Sequence, residues 1–133
     1  MKKTIALLSL PFFMLFANEG EKLFDMKCSI CHMKTRPTKE MKSSLIAPPI
    51  SGVVKNVKRA FGGDEKATVD FIVSYALNPS LEKVKCKAKA LKRFGLMPSQ
   101  KENTTPAELQ SIAQYLYSNF PLAKKNKYQK HQN

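Results

Sequence analysis

The chain has 133 residues, and 23 Lys and Arg against 10 Asp and Glu give a formal net charge of +13. That length suits one small domain with a modest core. Three cysteines, an odd number, rule out a disulfide framework.

In chain order, Met1-Lys2-Lys3 is a positive start, Thr4 to Phe16 is almost wholly apolar, and Ala17 offers a small residue for cleavage. That order predicts a secretory signal peptide over 1–17 and a mature chain from Asn18, exported to the periplasm. The apolar run is shorter than the roughly 20 residues a spanning helix needs. An uncleaved N-terminal anchor stays as the alternative, because Leu15 stands where a small residue is preferred. Without Lys2 and Lys3, 21 basic residues face 10 acids, a net near +11. Such an exported chain attracts acidic protein surfaces or lipid headgroups, and nucleic acid is excluded as a partner by compartment.

Asn18 to His32 reads as an amphipathic helix, with Asn18 as cap and Glu19 and Glu21 in the first turn. Met33 to Leu45 is polar, basic and interrupted by Pro37, which predicts a surface loop. Ala47-Pro48-Pro49-Ile50-Ser51-Gly52 is turn chemistry: the prolines fix φ and the glycine allows a tight bend. A short helix over Val53 to Phe61 breaks at Gly62-Gly63. Asp64 starts another, in which Thr68, Phe71, Ile72, Tyr75 and Ala76 recur at helical spacing until Asn78-Pro79 stops it. Leu81 to Arg93 is lysine-rich, with no clear periodicity. Thr105-Pro106-Ala107-Glu108 starts a last helix, carried by Leu109, Ile112, Ala113 and Leu116 to about Phe120. Residues 18–122 form the domain, and 123–133 form a loose basic tail. Nothing in the pattern signals a strand pair, so the fold class is all-α.

The chemistry concentrates at Cys28-Ser29-Ile30-Cys31-His32. Two thiols three positions apart add across the two vinyl groups of one porphyrin edge, and the adjacent histidine then reaches the iron. This predicts one covalently bound haem c, held by Cys28 and Cys31, with His32 as metal ligand. The competing readings are a thioredoxin-like pair, which expects a strand-rich context, and a zinc site recruiting Cys86. For the second axial ligand the mature chain offers Met26, Met33, Met41 and Met97. Met26 and Met33 flank the attachment site and Met41 lies in the basic loop, all committed to the histidine side. Met97 follows His32 by 65 residues, enough to wrap a porphyrin, and Pro98 stiffens its loop. Met97 is therefore the predicted sixth ligand. His131, in the tail, and Cys86, flanked by Lys85 and Lys87, are its rivals.

With these residues the chain resembles the class I, mitochondrial-like cytochrome c family. Gly20-x3-Phe24-x3-Cys28-x2-Cys31-His32 is similar to that family's first helix, and Tyr115 to its last-helix aromatic. Pro48-x-Ile50-x-Gly52 resembles its proline loop, Asp70 to Ser80 its middle helix, and Gly95-Leu96-Met97-Pro98 its methionine loop. The resemblance implies three to five helices wrapped around the haem. It also implies a close crossing of the end helices at Gly20, with Phe24 near Tyr115 or Leu116. A backbone carbonyl at Pro48 or Pro49 would orient the haem histidine. The implied function is single-electron carriage by a monomer, with no catalytic residues, between redox proteins whose acidic docking faces meet the lysines from Lys83 to Lys92. The alternatives are a haem enzyme or sensor with a labile or Cys86-ligated site, and a haem subunit of a membrane complex. The basic loop 33–45, the long stretch 81–93 and Cys86 depart from the family pattern.

Overall fold

A computed structural model of the chain describes residues 14–122, with side chains from Glu19 onward. The N-terminal part of the signal segment, the basic tail and His131 lie outside the described residues. Five α-helices carry the fold: α1 Met14–Lys27, α2 Ile50–Ala60, α3 Glu65–Leu77, α4 Ala88–Phe94 and α5 Pro106–Asn119. A 3₁₀ turn, Leu81–Lys83, precedes α4, and no strand occurs among the described residues. No described helix is long and apolar enough to cross a membrane.

The last helix organises the rest. Thr105 accepts a hydrogen bond from the Glu108 backbone N–H, Glu108 accepts in return from that of Thr105, and Pro106 takes the first helical position. Those bonds satisfy orphan donors of the first turn. Leu109, Ile112, Ala113 and Leu116 then bury one stripe, as the i, i+3, i+4, i+7 spacing dictates. The helix α5 packs against both α1 and α3, and α2 packs against α3.

The crossing of α1 and α5 is possible because residue 20 lacks a side chain. A Cβ there would lie 2.7 Å from Tyr115 Cβ and closer still to the Ser111 carbonyl oxygen. One turn on, Phe24 is fully buried, its ring centroid 6.2 Å from that of Tyr115. Burying a phenylalanine contributes about 1.5–3 kcal/mol, so this contact anchors the crossing. At the far end of α5, buried Lys58 of α2 donates to the Tyr117 (2.5 Å) and Phe120 (2.9 Å) carbonyls, capping the helix from outside. Tyr117 donates to the Gly63 carbonyl at 2.7 Å, tying in the α2–α3 turn.

Two expectations about boundaries change. The first helix is described over Met14–Lys27, so in the uncut chain Asn18 lies inside it and is no cap, and the helix ends before the motif where the sequence has it run to His32. The apolar residues before Asn18 simply continue the helix. The proline turn ends sooner than its glycine suggested: Pro49 caps α2 and buried Ile50 already belongs to it. Gly52 sits on that helix with open space around it, because Pro48-Pro49 alone make the bend. The third helix spans Glu65–Leu77, with the Asp64 carboxylate accepting from Ala67 N–H at 2.7 Å. The lysine-rich stretch resolves into the 3₁₀ turn and α4. There Gly95, at φ 72° and ψ −169°, stops the helix in a conformation open essentially only to glycine.

Candidate functional site

The attachment motif continues α1 past its regular end. The Phe24 carbonyl accepts from both Cys28 N (2.8 Å) and Ser29 N (2.9 Å), and the Cys28 carbonyl from Cys31 N (3.2 Å) and His32 N (2.9 Å). This tightened turn sets Cys28 and His32 inward and leaves Cys31 exposed. Lys27, at the end of α1, reaches Glu108 at 2.6 Å and the Asn103 carbonyl at 2.9 Å. The start of α5 thereby holds the turn in place. Lys34, just after His32, braces the other side through Asp25 (2.7 Å) and Glu21 (3.0 Å).

The His32 ring has one settled partner. Its Nδ1 lies 2.8 Å from the Pro48 carbonyl oxygen, which accepts the N–H. Burial pushes the imidazole below its ordinary value, and the Pro48 carbonyl only partly offsets that. The ring is therefore neutral near pH 7, with its lone pair on Nε2, as a metal-binding histidine requires. Of the two prolines, Pro48 supplies the acceptor and Pro49 caps α2. A second tie fixes the same loop, since Ile50 N–H donates to the Met33 carbonyl at 3.0 Å.

One apolar cavity of about 90 Å³ is lined by Cys28 and His32, by Val53, Val54 and Val57 of α2, by Phe71, Ile72 and Tyr75 of α3, and by Met97. A second space of about 110 Å³, lined by Cys28, Cys31 and His32 and by Phe94 to Pro98, forms the mouth, with exposed Ile46 and Leu96 at the rim. A third, of about 80 Å³, shares Met97, Tyr75 and Val57 with the first and adds Lys85 and Cys86. Met97 belongs to all three. Its segment is pinned to the end of α3: Ser99 Oγ donates to the Leu77 carbonyl at 2.6 Å and Gln100 N–H to that of Ala76 at 2.9 Å.

The donor set suits an iron porphyrin. Cys28 and Cys31 are both free thiols, available for thioether formation. Burial, reinforced by Cys31, raises the Cys28 thiol to about 11, so it stays protonated. Imidazole and thioether reach one apolar cavity from different elements. The other methionines do not compete: Met26 is 70% exposed and Met41 is 41% exposed, and neither lines these spaces. Among the described residues no cluster of three or more His, Cys, Asp or Glu is placed to hold a metal ion, so Cys86 completes no zinc site with the motif cysteines.

The α2 valines, Phe71, Ile72 and Tyr75 were readable as core positions but not as cavity walls. The period-3.6 pattern names an inward face without saying whether protein or cofactor fills it. Cys86 stands in the sequence as a rival ligand, but its place beside Met97 depends on how the stretch 81–93 folds.

A family model described as "Cytochrome C oxidase, cbb3-type, subunit III" matches residues 16–116. The chain is also 29% identical over 127 residues to an uncharacterized protein of Aquifex aeolicus (strain VF5), covering 85% of this chain and 83% of that one. No solved structure matches. The helical architecture, the motif turn and the match over residues 16–116 agree, and the chain belongs to the cbb3-type cytochrome c family, whose chemistry is electron transfer by haem c.

Proposed function

We propose that the protein is an exported monohaem cytochrome that carries single electrons in the periplasm, with thioether bonds at Cys28 and Cys31 and axial ligation by His32 and Met97. The observation that carries this is the pairing of a neutral His32, held at 2.8 Å by Pro48, with Met97 on the wall of the same apolar cavity. Haem, when bound, supplies a one-electron couple. The residues would do the rest: burial keeps His32 neutral, Pro48 orients it, Met97 would supply the second iron ligand, and the apolar walls would exclude water. Keeping both ligands through the cycle holds reorganisation small and leaves no site for a substrate.

Exposed Ile46 and Leu96 rim the mouth, and α4, with Lys89, Lys92 and Arg93, leads directly into it. Arg93 donates to the Lys42 carbonyl, joining the basic loop to α4. This continuous positive surface supports docking on an acidic redox partner by a monomer. The family description favours a second reading with the same chemistry, a haem subunit seated on a membrane oxidase.

The attachment claim is tested by producing the full chain with a haem c maturation system and running denaturing gels stained for haem. The unaltered protein should keep its stain and show by mass one haem on a polypeptide starting at Asn18. The Cys28→Ser/Cys31→Ser variant should lose the stain. Haem that acid–acetone extracts from the unaltered protein contradicts the proposal.

A further inference from the structure

The three cavities differ in the charge they offer. At the mouth the one cation on the wall is Lys27, already engaged by Glu108 and the Asn103 carbonyl. The inner cavity has no cation at all, and outside the proposed ligand and anchor residues its sole polar side chain is Tyr75. The third space shares Met97 with both others, and neither motif cysteine nor His32 lines it. There stand Lys85, Tyr75 and Cys86.

Two of these groups have hydrogen-bonding or charge capacity to spare. Among the described residues Lys85 makes no ion pair, and its Nζ lies 5.9 Å from the centroid of the Phe61 ring. The phenols of Tyr115 and Tyr117 each donate to an oxygen, whereas that of Tyr75 meets no partner among the described residues. Among the described residues every fully buried side-chain polar atom is satisfied, so the Tyr75 hydroxyl is not fully buried, and Tyr75 lines this space. Burial, with Cys86 second, raises this phenol above its ordinary value, so it is a donor at any physiological pH.

A porphyrin whose vinyl groups have joined two cysteines carries its propionates on the opposite half of the ring. A carboxylate entering an apolar space needs a cation or donors to offset its lost hydration. We infer that Lys85 and Tyr75 hold a haem propionate, Lys85 as its ion-pair partner and Tyr75 as a hydrogen-bond donor. This rests on the attachment at Cys28 and Cys31 proposed above. It also gives the stretch 81–93, which departs from the family pattern, a task besides docking: it delivers a cation to the cofactor's far edge.

The test is the midpoint potential of the holoprotein followed from pH 4 to 9. Ionisation of a propionate stabilises ferric iron, so the potential falls with pH through that group's titration. A nearby cation keeps the titration low. Lys85→Gln should move the step up by about one pH unit, the low end of the range for an adjacent opposite charge, since Lys85 is exposed. Tyr75→Phe should move it the same way by less. Lys85→Arg should restore the original step, and Lys101→Gln, which removes equal charge from an exposed turn outside these cavities, should leave it in place. An unmoved step in Lys85→Gln with haem still attached overturns the inference alone, as does an equal shift in Lys101→Gln. Haem that acid–acetone extracts overturns the attachment reading and the inference with it.

Discussion

At the scale of single residues, position in the site is set by groups that touch no cofactor. Pro48 matters for its carbonyl, Lys27 for its bond to the start of α5, and Gly95 for its backbone. The last has a measurable cost. Gly95 stands at φ 72° and ψ −169° with nothing within 4 Å of a Cβ, so an added methyl meets strain but no clash. Gly95→Ala should destabilise the protein by about 1–3 kcal/mol, the usual penalty for that conformation, as read by denaturant unfolding. It should also weaken the low-spin spectrum, because Gly95 turns the chain toward Met97. A change below about 0.5 kcal/mol, ordinary for a surface substitution, would mean that the turn carries no strain.

At the scale of elements, what was legible in the sequence was local chemistry. The caps at Asp64 and Thr105 and the stop at Asn78 are each decided within a few residues, and all form as the sequence implies. The misses are non-local or rest on weak patterns. Lys58 reads as a solvated lysine but is buried on the carbonyls of α5, a contact across 59 and 62 positions. Helix α4 has only Leu91 and Phe94 as bulky apolar residues, too few to show a period, and depends on its glycine stop. Two helical glycines make opposite predictions. Gly→Ala within a helix gains up to about 1 kcal/mol of propensity. At Gly52, where a Cβ meets nothing, that gain should appear as stabilisation. At Gly20 the same gain competes with a clash against the Ser111 backbone oxygen, which no rotamer change relieves. Overpacking of about 1–3 kcal/mol should win there. Thermal unfolding of both variants checks the pair, and a stabilised Gly20→Ala would mean that α1 and α5 do not cross so closely.

At the scale of the whole molecule, the charge is unevenly spent. Asp25, Glu21 and Glu108 are engaged by Lys34 and Lys27 around α1 and α5, while Lys89 and Lys92 of α4 are exposed on the helix that leads into the mouth. If that face steers docking, the bimolecular rate with an acidic redox partner should fall roughly tenfold or more between low and physiological salt. Lys89→Glu/Lys92→Glu should remove most of that dependence, and a rate indifferent to salt would show the lysines to be only a solvated surface. The central claim is that the fold closes the iron between His32 and Met97, which makes a carrier and not a ligand-binding catalyst or sensor. The direct measurement is the optical spectrum of the reduced holoprotein under carbon monoxide, with and without Met97→Ala. The unaltered protein should stay low-spin and refuse carbon monoxide, and Met97→Ala should bind it readily. Ready binding by the unaltered protein would contradict the account and return Cys86, on the same cavity wall as Met97, to consideration.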